Sequence, residues 1–205
     1  MSSATLDPVI GDGTAPALHA RRLLYVITGG IQAMFAPMWL QMLRTSYPEL
    51  EVTYAYTRSA LRFTTTTAMA VASGQARSLL DAWEDQPAEA THVALAAWPD
   101  AILVHPATMS YVARLAQGQG DSPVMLALAC TSAPIVLCPG LPPGGAANRA
   151  YQRNIAELAH WPNLTVMPPT RGVSLTTGDA GVGTAAYLPA ALGALEELRA
   201  WRSST

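Results

Sequence analysis

Five short stretches hold residue types suited to binding an anion or moving a proton. Thr28-Gly29-Gly30-Ile31 sets two glycines between an apolar, strand-forming run, Leu23 to Thr28, and a helical pattern from Ile31 to Leu43. Glycines there let backbone N–H groups approach an anionic ligand, aided by the helix dipole. A plain tight turn accounts for them equally well. Thr57-Arg58-Ser59 closes the alternating segment Glu51 to Thr57. Its hydroxyls and guanidinium suit a phosphate, or a solvated turn with a helix cap. His92 follows Thr91, which is expected to cap a helix that the histidine opens. A first helical turn disfavours the imidazolium and so favours a neutral ring able to act as a base. A lone histidine is nevertheless more often structural. Pro106-Ala107-Thr108-Met109-Ser110 comes directly after the apolar run Asp100 to Val104. It therefore lies at the carboxyl end of an expected central strand, where ligands gather in α/β folds. Gly178-Asp179-Ala180-Gly181-Val182-Gly183 reads, from its glycines alone, as a loose surface loop.

Several chemistries are absent. No GxGxxG or GxSxG motif occurs, and no His or Cys pair has metal-ligand spacing. All 12 basic residues are arginine, so Schiff-base and P-loop lysines are excluded. A net charge of −2 with no basic run argues against nucleic acid. No run of about twenty apolar residues suggests a membrane span, and no signal peptide is seen. Cys130 and Cys138 sit in apolar stretches and are expected to be buried free thiols, which fits a reducing cytoplasm. Half of the 205 residues are hydrophobic and 13% charged, a composition expected if copies of the chain bury part of one another's surface.

The elements that must position these groups alternate. Strands are expected at 23–28, 51–57, 100–104, 133–138 and 164–167. Helices are expected from Ile31 to Leu43 with an interruption at Pro37, from Ala68 to Trp83, along Met109, Val112, Leu115 and Ala116, from Asn148 to His160, and after Leu188. Pro139 to Ala147 is too rich in Pro and Gly for regular structure. Strand–helix alternation implies an α/β fold: a Rossmann-like (flavodoxin-like) three-layer sandwich with a mostly parallel sheet. A flexible tail over 1–20 is expected to precede a single domain over 21–205.

Taken together, His92 with Pro106-Ala107-Thr108-Met109-Ser110-Tyr111 fourteen residues later, Gly29-Gly30-Ile31, Thr57-Arg58-Ser59-Ala60 with Phe63, and Gly178-Asp179 with Gly181 and Gly183 resemble the homo-oligomeric flavin-containing cysteine decarboxylases. That family includes phosphopantothenoylcysteine decarboxylase and the epidermin- and mersacidin-type peptide decarboxylases. The resemblance implies His92 as the catalytic base. It implies Gly29, Gly30, Ile31, Ser59, Phe63, Pro106, Ala107, Thr108 and Ser110 as flavin-binding residues. Pro142, Arg171, Gly181 and Gly183 fall in the segments expected to meet substrate. The implied cofactor is FMN, with FAD as the other choice. The implied assembly is a trimer, often built into a dodecamer, with flavin at the trimer interface. Two departures stand out: Ser110 replaces the asparagine of the family's PASANT segment, and Pro142 replaces that of its P-x-M-N motif. These departures favour oxidative decarboxylation of the C-terminal cysteine of a ribosomally made precursor peptide, as in lanthipeptide and aminovinyl-cysteine biosynthesis. The alternatives are phosphopantothenoylcysteine decarboxylase, a flavin prenyltransferase, and a non-catalytic flavin-binding subunit.

Overall fold

The computed structural model describes residues 15–84, 90–173 and 178–203. Six strands, β1 (Arg22–Ile27), β2 (Glu51–Tyr56), β3 (Arg77–Leu80), β4 (Ala101–Thr108), β5 (Ile135–Gly140) and β6 (Leu164–Val166), form one sheet in the order β3-β2-β1-β4-β5-β6. Every neighbouring pair in it is parallel. Parallel strands cannot be joined by a hairpin, so helices carry the chain back over the sheet. Helices α1 (Ala36–Ser46), α2 (Thr66–Ser73) and α7 (Leu188–Ser203) lie on one face. Helices α3 (Thr91–Ala97), α4 (Met109–Ala116), α5 (Pro123–Cys130) and α6 (Arg149–Leu158) cover the other. This is the expected three-layer sandwich.

Strand periodicity divides the core. Leu23, Tyr25, Ile27, Leu103, Val136 and Cys138 point into the first face, whereas Leu24, Val26, Ile102, Val104, Ile135 and Leu137 point into the second. All twelve are fully buried, which is why the central strands read as continuous apolar runs. The strand order reverses between β1 and β4: the chain steps outward from β1 to β3, then returns to β4 on the other side of β1. Such a switch point opens a crevice at the carboxyl ends of the strands.

The structure corrects several expectations. The helix expected over Ala68 to Trp83 stops at Ser73, because Gly74 takes a left-handed φ of 69° and caps it. Strand β3 follows within the same stretch. Pro37 does not interrupt a helix. A 3-10 segment spans Ile31–Phe35, and α1 starts at Ala36 with Pro37 in its first turn, where a missing N–H costs nothing. Strand β4 runs on through a cis His105–Pro106 bond to Thr108, with a register shift between Val104 and Ala107. The glycine-rich stretch is no loose loop, because β8 (Ala180–Thr184) pairs antiparallel with β7 (Thr170–Val173). Residues 174–177 of that hairpin lie outside the described residues. Thr91 is the first residue of α3 rather than its cap, a place taken by Ala90. Cys138 is buried as expected, but Cys130, the last residue of α5, is exposed.

Of the expected tail, residues 1–14 lie outside the described residues. Residues 15–20 are tied down: Tyr47 donates to the Pro16 carbonyl at 2.7 Å and the His19 N–H donates to Glu196 at 3.0 Å. Among the described residues no helix is long and apolar enough to cross a membrane, and no cluster of His, Cys, Asp and Glu suits a metal.

Candidate functional site

The ends of β1, β2, β4 and β5 meet at the carboxyl edge. Thr28 sits one residue beyond β1 and is 1% exposed. Its hydroxyl donates to the Pro106 carbonyl at 2.7 Å and accepts from the Thr108 N–H at 2.9 Å. The Thr28 N–H also donates to Pro106, at 3.3 Å. One side chain thus clamps the end of β1 to the end of β4. Beside it the main chain comes close enough to need glycine. A Cβ on Gly29 would fall on the Ser59 side chain and 2.9 Å from the Ser59 carbonyl carbon. A Cβ on Gly30 would lie 3.3 Å from Pro106 Cγ, and one on Gly140 would lie 2.6 Å from Gln32 Oε1. Gly29, Gly30, Ser59, Pro106, Gly140 and Gln32 therefore form one cradle. The Ser59 and Thr57 hydroxyls are 3.0 Å apart at its rim, where two O–H groups suit the oxygens of a phosphate.

The remaining predicted cofactor residues divide into those that face outward and those that do not. Ile31 and Ser110 are exposed on the same edge, and Phe63 is half-buried against the first-face core. The Thr108 hydroxyl caps α4 by accepting from the Tyr111 N–H at 3.2 Å. The Ala107 side chain is fully buried in the second-face core, so this residue has only backbone to offer a ligand. Gln32 and Gly140 are not among the residues that the sequence assigns to the cofactor, and Thr28, read as the first residue of the glycine stretch, is given no role of its own there. Only the position of Thr28, between strand and glycines, signals its role.

Next to the cradle, the β5 loop meets the β7–β8 hairpin. The Leu141 N–H donates to the Gly183 carbonyl at 2.7 Å, and a Cβ on Gly183 would lie 2.6 Å from the Leu141 carbonyl oxygen. Pro142 is thus brought beside Gly183. Arg171 pairs with Val182, and Gly172 with Gly181. Since side chains alternate along a strand, Arg171 and Val173 share one ribbon face with Val182, while Gly172 and Gly181 lie on the other, where the Thr184 side chain packs over Gly172. Arg171 and Gly181 therefore do not share a face. Arg171 is exposed, with no ion-pair partner among the described residues.

His92 is the second residue of α3. Because β3 ends at the carboxyl edge and α3 must run back towards the start of β4, His92 lies on the same edge as the cradle. Its ring is half-buried, with Trp83 edge-on at 5.5 Å between centroids and 70° between planes. Asp81, the residue after β3, is buried. Its Oδ1 accepts from the Val124 N–H at the start of α5 at 3.0 Å. Burial raises the pKa of this carboxyl. His105 is a further buried titratable group, whose Nε2 lies 2.9 Å from the Ala186 carbonyl.

The Flavoprotein family model matches residues 15–192. The cypemycin cysteine dehydrogenase (decarboxylating) of Streptomyces sp is 34% identical over 179 residues, 84% of this chain and 89% of that protein. The coenzyme A biosynthesis bifunctional protein CoaBC of Vibrio vulnificus (strain YJ016) is 33% identical over 168 residues. That match spans 81% of this chain but only 40% of the bifunctional protein. The crystal structure of the cypemycin decarboxylase CypD superposes with a TM-score of 0.75 at 30% identity, covering 92% of this chain and 98% of CypD.

Proposed function

We propose, for a chain that belongs to the Flavoprotein family, that it is a flavin-dependent enzyme oxidatively decarboxylating the C-terminal cysteine of a ribosomally made precursor peptide. The observation that carries the reading is the cradle at the β1/β4 switch point. There the lack of side chains on Gly29 and Gly30 lets the end of β1 pack directly against Ser59 and Pro106, beside the paired Thr57 and Ser59 hydroxyls. The residues fit a flavin: main chain and two hydroxyls for its phosphate, and an exposed apolar edge at Ile31, Met34 and Phe35 for its rings. A single rim of hydroxyls matches FMN, with one terminal phosphate, better than FAD.

When bound, the flavin would supply the acceptor for two electrons and one Cβ hydrogen, lost together as the cysteine Cβ–S bond is oxidised to a thioaldehyde. The chain's residues provide position and proton handling. Gly29, Gly30, Ile31, Ser59, Phe63, Pro106, Ala107, Thr108 and Ser110 hold the cofactor. His92, a half-buried ring walled by Trp83, takes the thiol proton as general base. Pro142, Gly181 and Gly183 line the approach of the peptide's end, and Arg171 offers its unpaired guanidinium to the terminal carboxylate. The oxidised sulfur then acts as an electron sink, carbon dioxide leaves, and an enethiol remains. Pro142 stands where the family's P-x-M-N motif has its asparagine, which counts against phosphopantothenoylcysteine as the substrate. The exposed apolar side chains Ile31, Met34, Phe35 and Met38 fit a homo-oligomer, a trimer or a dodecamer built from trimers, in which neighbours cover them.

The test is the visible spectrum of the purified protein, followed by incubation with a peptide ending in cysteine. Flavin bands, and a peptide that has lost carbon dioxide and two hydrogens, are expected. A colourless protein that ignores added FMN refutes the reading. Turnover of phosphopantothenoylcysteine with none of any peptide would favour the coenzyme A reaction.

A further inference from the structure

His105 is a polar ring buried among apolar and aromatic neighbours. It is 3% exposed, on β4 immediately before Pro106, and its side chain lies on the first face against α1 and α7. Trp39 of α1 stands edge-on to it at 6.4 Å and 88°, and Tyr187 stands edge-on to Trp39 at 5.3 Å. Among the described residues, its Nδ1 and the Trp39 Nε1 are both buried without a hydrogen-bond partner. The pocket therefore does not exist to satisfy the ring. One bond is made: Nε2 lies 2.9 Å from the Ala186 carbonyl. A carbonyl only accepts, so the proton is on Nε2 and Nδ1 is bare. Burial pushes the imidazole pKa down to about 4, so this donor is neutral and permanent at working pH.

The two ends of that bond belong to different parts of the site. Ala186 lies between the end of β8, Thr184, and the start of α7, Leu188, and so at the root of the hairpin. His105 adjoins the peptide carried by Pro106, whose carbonyl takes both Thr28 bonds and whose ring backs Gly30 and Gly140. The hairpin's returning strand is held at Gly183 by the β5 loop and, three residues later, by His105.

We propose that His105 is a positioning residue that fixes the hairpin root against the cofactor cradle, so that a peptide held by the hairpin meets the flavin in register. This rests on the reading of the hairpin as a substrate-binding element. His105 touches neither the cofactor cradle's open side nor solvent and takes no part in proton transfer.

The test compares His105→Gln, whose amide nitrogen can reach Ala186, with His105→Asn and His105→Leu, which lack a donor at that distance. Flavin content, steady-state kinetics on a peptide ending in cysteine, and hydrogen exchange over 178–188 are read on each flavoprotein. Asn and Leu are expected to keep the flavin spectrum and raise KM at least about fivefold, the fold-change carried by one lost buried hydrogen bond. Their kcat should change less than KM does, and exchange at 184–188 should speed up. Gln should restore both readouts. Wild-type KM in Asn and Leu, or an exchange pattern that Gln fails to restore, overturns the proposal. Loss of flavin from all three variants also overturns it, making His105 part of the cradle's packing. If the wild type decarboxylates no cysteine peptide, the functional reading fails, and the exchange comparison alone still decides whether His105 fixes the hairpin root.

Discussion

Substituting alanine at Gly29 tests the cradle most directly. The new Cβ would sit 2.9 Å from the Ser59 carbonyl carbon and on top of the Ser59 side chain. Carbon atoms rest at about 3.5–4.0 Å, so one chain must retreat by roughly 0.6–1 Å. The β1 end cannot give way, because Thr28 is locked to Pro106 and Thr108. The Ser59 turn is exposed and gives way instead. Crowding of this kind costs about 1–3 kcal/mol. Because Ser59 belongs to the cofactor rim, that cost falls on flavin binding and raises the FMN Kd by about five- to hundredfold. Titration of flavin-free protein, read by flavin fluorescence, measures it, with urea unfolding alongside. The double variant Gly29→Ala/Ser59→Gly removes the side-chain overlap but keeps the backbone one, so partial recovery is expected. An unchanged Kd in Gly29→Ala would refute the placement of the cofactor between these two turns.

Three further outcomes follow from the geometry. His92→Asn should keep its flavin and slow peptide decarboxylation by about 10²–10⁴-fold, the range of a general base, in a carbon dioxide release assay. Thr28→Val keeps the shape but strands the Thr108 N–H, while Pro106 retains the weaker bond from the residue 28 backbone. Urea unfolding should show a loss of about 1–3 kcal/mol. For His105 the folded pKa of about 4 lies below the usual histidine value of 6.5, so the unfolded chain binds more protons between these limits. Its contribution is therefore complete above pH 6.5 and is lost as pH falls towards 4, by about 3 kcal/mol in all. Unfolding midpoints of His105→Gln should fall less steeply over that window than those of the wild type.

Much of this architecture was legible because a doubly wound sheet writes itself in apolar runs. Leu23 to Ile27 and Ala101 to Val104 are fully buried on both faces and show as unbroken hydrophobic stretches. Strand β3 was not legible: Arg77 and Ser78 are exposed at the sheet edge, and Leu79 and Leu80 continue the apolar pattern of the preceding helix. Only the left-handed turn at Gly74 separates the two. The hairpin was hidden because its glycines mimic a loop, and their pairing with Thr170 to Val173 is set by a partner that no local pattern marks. Of the site, the glycine turn and the residues after β4 announced themselves by their place at strand ends. Gln32 and Gly140 meet only because the 3-10 segment Ile31–Phe35, β4 and β5 converge, which spacing along the chain does not encode. His105 looked like an ordinary strand terminus, since the register shift that carries β4 beyond it leaves no trace in the sequence.

The hairpin also bears on how such a protein changes its substrate over time. Its first and last residues, Thr170 and Thr184, are paired with each other, so the ribbon closes at its own base. It lies outside the six-stranded sheet and contributes nothing to the order of its strands. A ribbon of different length or side chains can therefore be spliced between these two threonines without rerouting the polypeptide. On the proposed role of the hairpin in holding substrate, exchange of this one segment between relatives offers a route by which the electron chemistry is inherited intact while the clientele is replaced.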